Sequence, residues 1–187
     1  QKRYSTNVGF EGAFAPVDIK GTKEALDIIL QGIQESGYIP REDFSIALDV
    51  AASEIYDKNK QKYVLKKEKK EYDTQEWIQF QKELYSSYPL ISLEDPLVED
   101  GWTGWSTITK ELGEKYQIVG DDLLTTNTKR IQKGIEEKAM NSVLIKLNQI
   151  GSVTETLNAI RLTVENNMTA IISHRSGETN DSFIADL

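Results

Sequence analysis

The chain has 187 residues, a length that fits one domain, and its 22 Lys and Arg against 30 Asp and Glu leave a net charge of −8. That acidic balance argues against non-specific nucleic-acid binding, which draws its affinity from neutralising phosphates. A content of 39% apolar and 28% charged residues is that of a folded protein. Zero cysteines exclude disulfides and thiolate zinc sites, and no apolar run reaches the roughly 18–20 residues of a membrane helix.

Two periodicities alternate along the chain. Ala25, Leu26, Ile29, Leu30 and Ile33 form a helical stripe, with Thr22 as its expected N-cap and Gly37 as its terminating glycine. A β-branched run over 46–50 follows, then a polar stretch over 57–73. This stretch carries Lys58, Lys60, Lys62, Lys66, Lys67, Lys69 and Lys70 around Tyr63, Val64 and Leu65. It reads either as a basic docking patch or as a solvated loop or small hairpin, because acidic residues are interleaved. A helix beginning near Thr74 is expected to gather Trp77, Ile78, Leu84 and Tyr85 on one face and stop before Pro89.

Beyond it, aliphatic runs at 90–93, 117–120, 142–147 and 169–172 alternate with helical patterns. Trp105, Ile108 and Leu112 mark one helix, and Ile131 with Ile135, after the cap candidate Asn127, mark another. Ser152 with Glu155 matches a capping box ahead of Leu157, Ile160 and Val164. A last helix, with Phe183, Ile184 and Leu187 on one face, is expected near Asp181. The sequence ends within that pattern, which suggests truncation.

Runs apolar on both faces, separated by helices, suit a parallel sheet covered by helices. An open doubly wound sheet and a (β/α) barrel both fit, and no glycine-rich nucleotide loop favours the first. Polar residues recur just after each apolar run: Glu11 after Val8, Asp49, Glu94-Asp95, Asp121-Asp122, Lys146, and Ser173-His-Arg-Ser176. In a barrel these ends converge on one face. Asp49, Glu94 and Asp121 would then form an all-oxygen site suited to a hard cation such as magnesium. Lys146, within aliphatic neighbours, is costly to bury unless paired or deprotonated, so it is a candidate base. Individually each has another reading: a strand-end carboxylate caps a helix, a lysine makes a structural ion pair, and His174 is a satisfied polar residue. The joint recurrence favours metal-assisted proton abstraction.

Six segments carry a resemblance to the enolase (phosphopyruvate hydratase) family. They are Val8-Gly-Phe-Glu-Gly-Ala-Phe-Ala-Pro16, Leu48-Asp-Val-Ala-Ala-Ser-Glu54, Ser92-Leu-Glu-Asp-Pro96, Val119-Gly-Asp-Asp-Leu123, Leu144-Ile-Lys-Leu-Asn-Gln-Ile-Gly151 and Ile172-Ser-His-Arg-Ser-Gly-Glu-Thr179. They run in order over essentially the whole chain. The resemblance implies a magnesium-dependent, glycolytic dehydration of 2-phosphoglycerate to phosphoenolpyruvate. Lys146 matches the base that removes the carbon-2 proton, and Glu11 the acid that protonates the leaving carbon-3 hydroxyl. Asp49, Glu94 and Asp121 match the magnesium ligands, and the last two also face the substrate. Arg175 and Ser176 match substrate-binding positions, with His174 in the same loop, and Asp122 resembles a neighbour of the ligands. Enolase-superfamily sites are themselves the standard worked example of a Lys or His base paired with magnesium.

The resemblance further implies an incomplete TIM-type (β/α)8 barrel, an α/β fold with about six of eight strands, the first near Val8. The family's N-terminal domain, first barrel strands and C-terminal end are expected to lie outside 1–187. An open arc of this kind, taken alone, is expected to be inactive. It also implies a cytoplasmic homodimer or higher homo-oligomer with no membrane span, displayed at the cell surface in some members. One departure stands out. Where the family usually reads Gly-Asp-Glu-Gly-Gly, this chain reads Gly9-Phe10-Glu11-Gly12-Ala13. An apolar ring replaces a carboxylate, and Ala13 is expected to remove a glycine's backbone freedom. A catalytically impaired, enolase-like binding protein is therefore the alternative; a different superfamily reaction, such as a racemisation, fits the Ser-His-Arg-Ser-Gly-Glu loop poorly.

Overall fold

The computed structural model describes residues 4–9 and 11–187. Helix α1 (Thr22–Glu35) buries Leu26 but leaves Ile29 exposed. Its N-cap is Gly21, not Thr22, and the cap is supplied from afar: Glu68 Oε1 accepts the Thr22 amide at 2.9 Å. Gly37, at φ +85°, ends the helix as expected. Strand β1 (Ile46–Asp49) follows, then a short 3-10 turn over Ala52–Ile55.

The Lys-rich stretch folds as three short antiparallel strands, β2 (Tyr56–Asp57), β3 (Lys62–Leu65) and β4 (Lys70–Tyr72). The hairpin reading therefore holds. Tyr63, only 1% exposed, stacks on Trp77 at 5.2 Å between ring centres, and Tyr72 stacks on Phe80 at 5.3 Å. These rings pack one face of the small sheet against Trp77 and Phe80, and Lys62 on β3 alternates to the other face. Helix α2 (Thr74–Ser87) opens with a full capping box. Asp73 Oδ1 accepts the Glu76 amide at 2.9 Å, while Glu76 Oε2 accepts the Asp73 amide at 2.8 Å. Its expected face, Trp77, Ile78, Leu84 and Tyr85, is buried.

Strand β5 (Leu90–Glu94), helix α3 (Trp102–Leu112), strand β6 (Gln117–Gly120) and helix α4 (Thr128–Glu137) follow in strict alternation. Asn127 caps α4 through the Lys129 amide at 2.9 Å. Strand β7 (Ser142–Ile145) runs into the one-turn helix α5 (Leu147–Ile150), then α6 (Val153–Glu165), strand β8 (Thr169–Ile172) and the one-turn α7 (Phe183–Asp186). At α6 the expected capping box is half formed: Ser152 Oγ accepts the Glu155 amide, but the Glu155 carboxylate takes the Ser152 hydroxyl rather than its amide.

Five strands pair in parallel in the order β1-β5-β6-β7-β8, as in an arc of a barrel with β1 and β8 as edges. The sheet is not closed among the described residues. β6 and β7 are almost wholly buried, whereas Ile91 on β5 and Ile172 on β8 are each 54% exposed. The sheet is thus covered at its centre and open toward its margins. The strand expected near Val8 is instead an isolated antiparallel bridge between Val8 and Phe14. There the chain bonds to itself, Gly9 amide to Ala13 carbonyl and Ala15 amide to Asn7 carbonyl, so these groups pair within the loop rather than with the sheet.

Loss of the Asp73 cap should cost about 1 kcal/mol, so Asp73→Ala is expected to lower the thermal midpoint by roughly 2–4 °C. Calorimetry finding no change would show that water replaces the cap at no cost.

Candidate active site

Strand pairing brings the rim residues together. Asp49 and Glu94, the last residues of β1 and β5, are direct register partners. Glu94 pairs in turn with Val119, two residues before Asp121. Lys146 lies one residue past β7, as the N-cap of α5, rather than inside a strand. Its ammonium donates to Asp121 Oδ2 at 2.5 Å, with both side chains largely covered. A cleft of about 320 Å³ is lined by Glu11, Asp49, Glu94, Lys146 and the Ser173–Ser176 loop. Asp121, 8% exposed, does not line the cleft and meets it through its contact with Lys146. A larger groove of about 500 Å³ between α1 and the small sheet contains none of these residues.

Glu11 reaches the rim from the N-terminal loop. The Ser176 hydroxyl donates to Glu11 Oε1 at 2.6 Å, and His174 Nε2 lies 4.0 Å from the same oxygen. Arg175 is oriented by its own amide, which donates to Glu178 Oε2 at 2.7 Å, and by a 3.4 Å contact of its guanidinium with Asn148 Oδ1. The left-handed position of the Glu11 loop is Gly12, at φ +75°; Ala13 has no positive φ, so the alanine fits where it stands. Phe10 lies outside the described residues.

Across residues 1–187 the chain matches the family described as "Enolase, C-terminal TIM barrel domain". The chain belongs to the enolase family. Enolases of Ehrlichia ruminantium, strains Welgevonden and Gardel, are each 53% identical to it over 187 residues. The match covers 100% of this chain and 43% of each relative, so the chain spans less than half their length. For this enolase-family chain, no helix among the described residues is long and apolar enough to cross a membrane.

Sequence reasoning did not assign roles to Asp95, Thr126 or Gln149. Asp95, 4% exposed, ties the rim together. Its Oδ1 and Oδ2 accept the Asp121 and Asp122 amides at 3.0 and 2.8 Å, and its carbonyl accepts the Ala52 amide at 3.1 Å. Its only sequence signal is adjacency to Glu94. Gln149 was discoverable as the residue three past Lys146, a spacing that returns to the same side of a helical turn.

The carboxylates are crowded. Burial, then the charges of Asp49, Asp121 and Asp95, push the Glu94 carboxyl up to about 8, with Lys146 opposing. Asp49 is raised by burial, against a hydrogen bond from the Ala51 amide that lowers it, and further by Asp121. Asp95 is raised to about 7 by burial, against the two amides it accepts, and Asp122 is raised by burial and by Asp121. Such a cluster fits a hard divalent cation: every donor is oxygen, and the repulsion is relieved by positive charge. Oxygens of Asp95, Asp121 and Asp122 also lie within 4.8 Å of one another. Asp95 is already engaged by two backbone amides there, whereas Asp49 and Glu94 face the cleft.

A carboxyl raised in the folded state holds a proton that the unfolded chain has released. Cation-free stability should therefore fall as pH rises from about 4.5 through 8, the window of Glu94. Denaturant midpoints in the presence of a chelator should decline across that range, and Glu94→Gln should flatten the decline. A midpoint that rises with pH in the parent would contradict this electrostatic account.

Proposed function

We propose that this chain carries the reacting face of an enolase, a cytoplasmic, homo-oligomeric, magnesium-dependent lyase that dehydrates 2-phosphoglycerate to phosphoenolpyruvate in glycolysis. The N-terminal domain, the remaining barrel strands and further substrate contacts lie outside it. The observation that carries the reading is that Lys146, paired with Asp121, lines one cleft with Asp49, Glu94 and Glu11. In this reading Asp49, Glu94 and Asp121 hold magnesium, which supplies positive charge to the substrate carboxylate as negative charge develops there.

The chain's own residues then do the following. Arg175 and Ser176 bind the substrate's anionic groups, with His174 in the same loop. Lys146, once its ammonium has released a proton to solvent, takes the carbon-2 proton as the free amine. The electron pair left behind is delocalised onto the substrate carboxylate and then forms the carbon–carbon double bond as the carbon-3 oxygen departs. Glu11 donates a proton to that oxygen, which leaves as water. Two proton-carrying groups lining one cleft suit a reaction that removes a proton from one carbon and delivers another to a neighbouring substituent. The hydroxyl of Ser176 and the nearness of His174 support Glu11 in a defined orientation. The sheet, open among the described residues with β1 and β8 as its edges, supports the expectation that residues 1–187 alone are inactive.

Lys146→Ala in the intact parent should abolish exchange of the carbon-2 proton with solvent. Glu11→Gln should leave that exchange running while net dehydration falls by about 10²-fold or more. Equal loss of exchange in both variants would reject the assigned division of labour. Phe10, where the family carries aspartate, favours a second reading, that of a binding protein with impaired chemistry. It predicts no turnover in the parent and recovery in Phe10→Asp, whereas the enzyme reading predicts turnover before the change.

A further inference from the structure

We infer that Thr126 and Gln149 are positioning residues that fix the spacing between Lys146 and Asp121, an inference that rests on the function proposed above. Four hydrogen bonds form a closed ring that leaves Lys146 by its backbone and returns to its side chain. The Lys146 amide donates to Thr126 Oγ1 at 2.9 Å, and Thr126 Oγ1 donates to Gln149 Oε1 at 2.7 Å. Gln149 Nε2 donates to Asp121 Oδ1 at 2.9 Å, and Lys146 Nζ donates to Asp121 Oδ2 at 2.5 Å.

Each link determines the next. A hydroxyl has one proton, and Leu144 O, at 3.5 Å, is the poorer acceptor, so the Thr126 proton goes to Gln149. That choice fixes the Gln149 amide with its oxygen inward and its NH2 toward Asp121. Asp121 is then held through both oxygens, one by a neutral donor and one by the lysine, and its carboxylate plane cannot turn without breaking a bond. The backbone supports the same conclusion. Thr126 is fully buried and sits at φ +53°, following Thr125 at φ +49°. Left-handed backbone is a genuine outlier for a β-branched residue, and it persists only where surrounding contacts over-determine it. A glycine or asparagine would relieve the strain but could not supply a hydroxyl that accepts from Lys146 and donates to Gln149.

The test compares Thr126→Ser, which keeps the hydroxyl, with Thr126→Val, which keeps the shape, and adds Gln149→Met, at a partly exposed site outside the core. Magnesium is titrated calorimetrically into the intact, metal-free protein, and carbon-2 proton exchange is followed at saturating magnesium. Thr126→Val and Gln149→Met should each weaken magnesium binding about tenfold and slow exchange about as much, while Thr126→Ser stays within about twofold of the parent. Should Thr126→Val fail to fold, Gln149→Met carries the comparison alone. Parental magnesium affinity in Gln149→Met, or equal losses in Thr126→Ser and Thr126→Val, would overturn the inference. Asp49→Asn separates that failure from a failure of the function: magnesium binding unchanged in Asp49→Asn would overturn the underlying reading, whereas its loss there alone would overturn only the positioning role.

Discussion

Parallel pairing requires that β1, β5, β6, β7 and β8 all end at the same edge of the sheet. Asp49, Glu94, Asp121, Lys146 and the Ser173–Ser176 loop lie far apart in the chain, yet each is either the last residue of such a strand or begins directly after it. Their meeting is therefore a consequence of backbone hydrogen bonding, paid for by the buried centre of the sheet around Ile118, Val143, Trp105 and Ile108. A slip of one residue in any of these strands would turn its rim residue toward the opposite face.

Convergence also creates the main electrostatic difficulty of the fold. Several carboxylates approach one another where water is partly excluded, and burial together with mutual repulsion raises Glu94, Asp49, Asp95 and Asp122. Two devices within the chain hold the arrangement. Asp95 presents both oxygens to the backbone amides of the next rim loop, which couples the ends of β5 and β6. The Lys146 ammonium offsets the charge of Asp121. Destabilisation of this kind is expected where a site is arranged for a cation or for chemistry rather than for stability.

The alternation of strands and helices could be read from periodicity, and so could the rim residues, since each follows an apolar run. Asp73 and Asn127 cap their helices, although only Asn127 was expected as a cap; Asp73 was visible as an acidic residue three before Glu76. What sequence alone could not supply were long-range partners. Glu68 caps α1 from 46 residues away, which displaced the expected Thr22 cap. The Val8 region has the composition of a strand, but the Gly9 and Ala15 amides bond within its own loop. Thr126 carries no local signal, because its left-handed backbone and its bonds to Lys146 and Gln149 depend on the packed rim. Whether the Lys-rich stretch folds was likewise decided by distant rings, Tyr63 on Trp77 and Tyr72 on Phe80.

The central claim is that the strand ends of β1, β5 and β6 hold one hard cation through Asp49, Glu94 and Asp121. Crystals of the intact protein soaked in manganese, which has the same preference for oxygen donors and a usable anomalous signal, test it most directly. The account predicts an anomalous peak bounded by those three carboxylates. A peak held instead by Asp95, Asp121 and Asp122, with Asp49 and Glu94 unengaged, would contradict it.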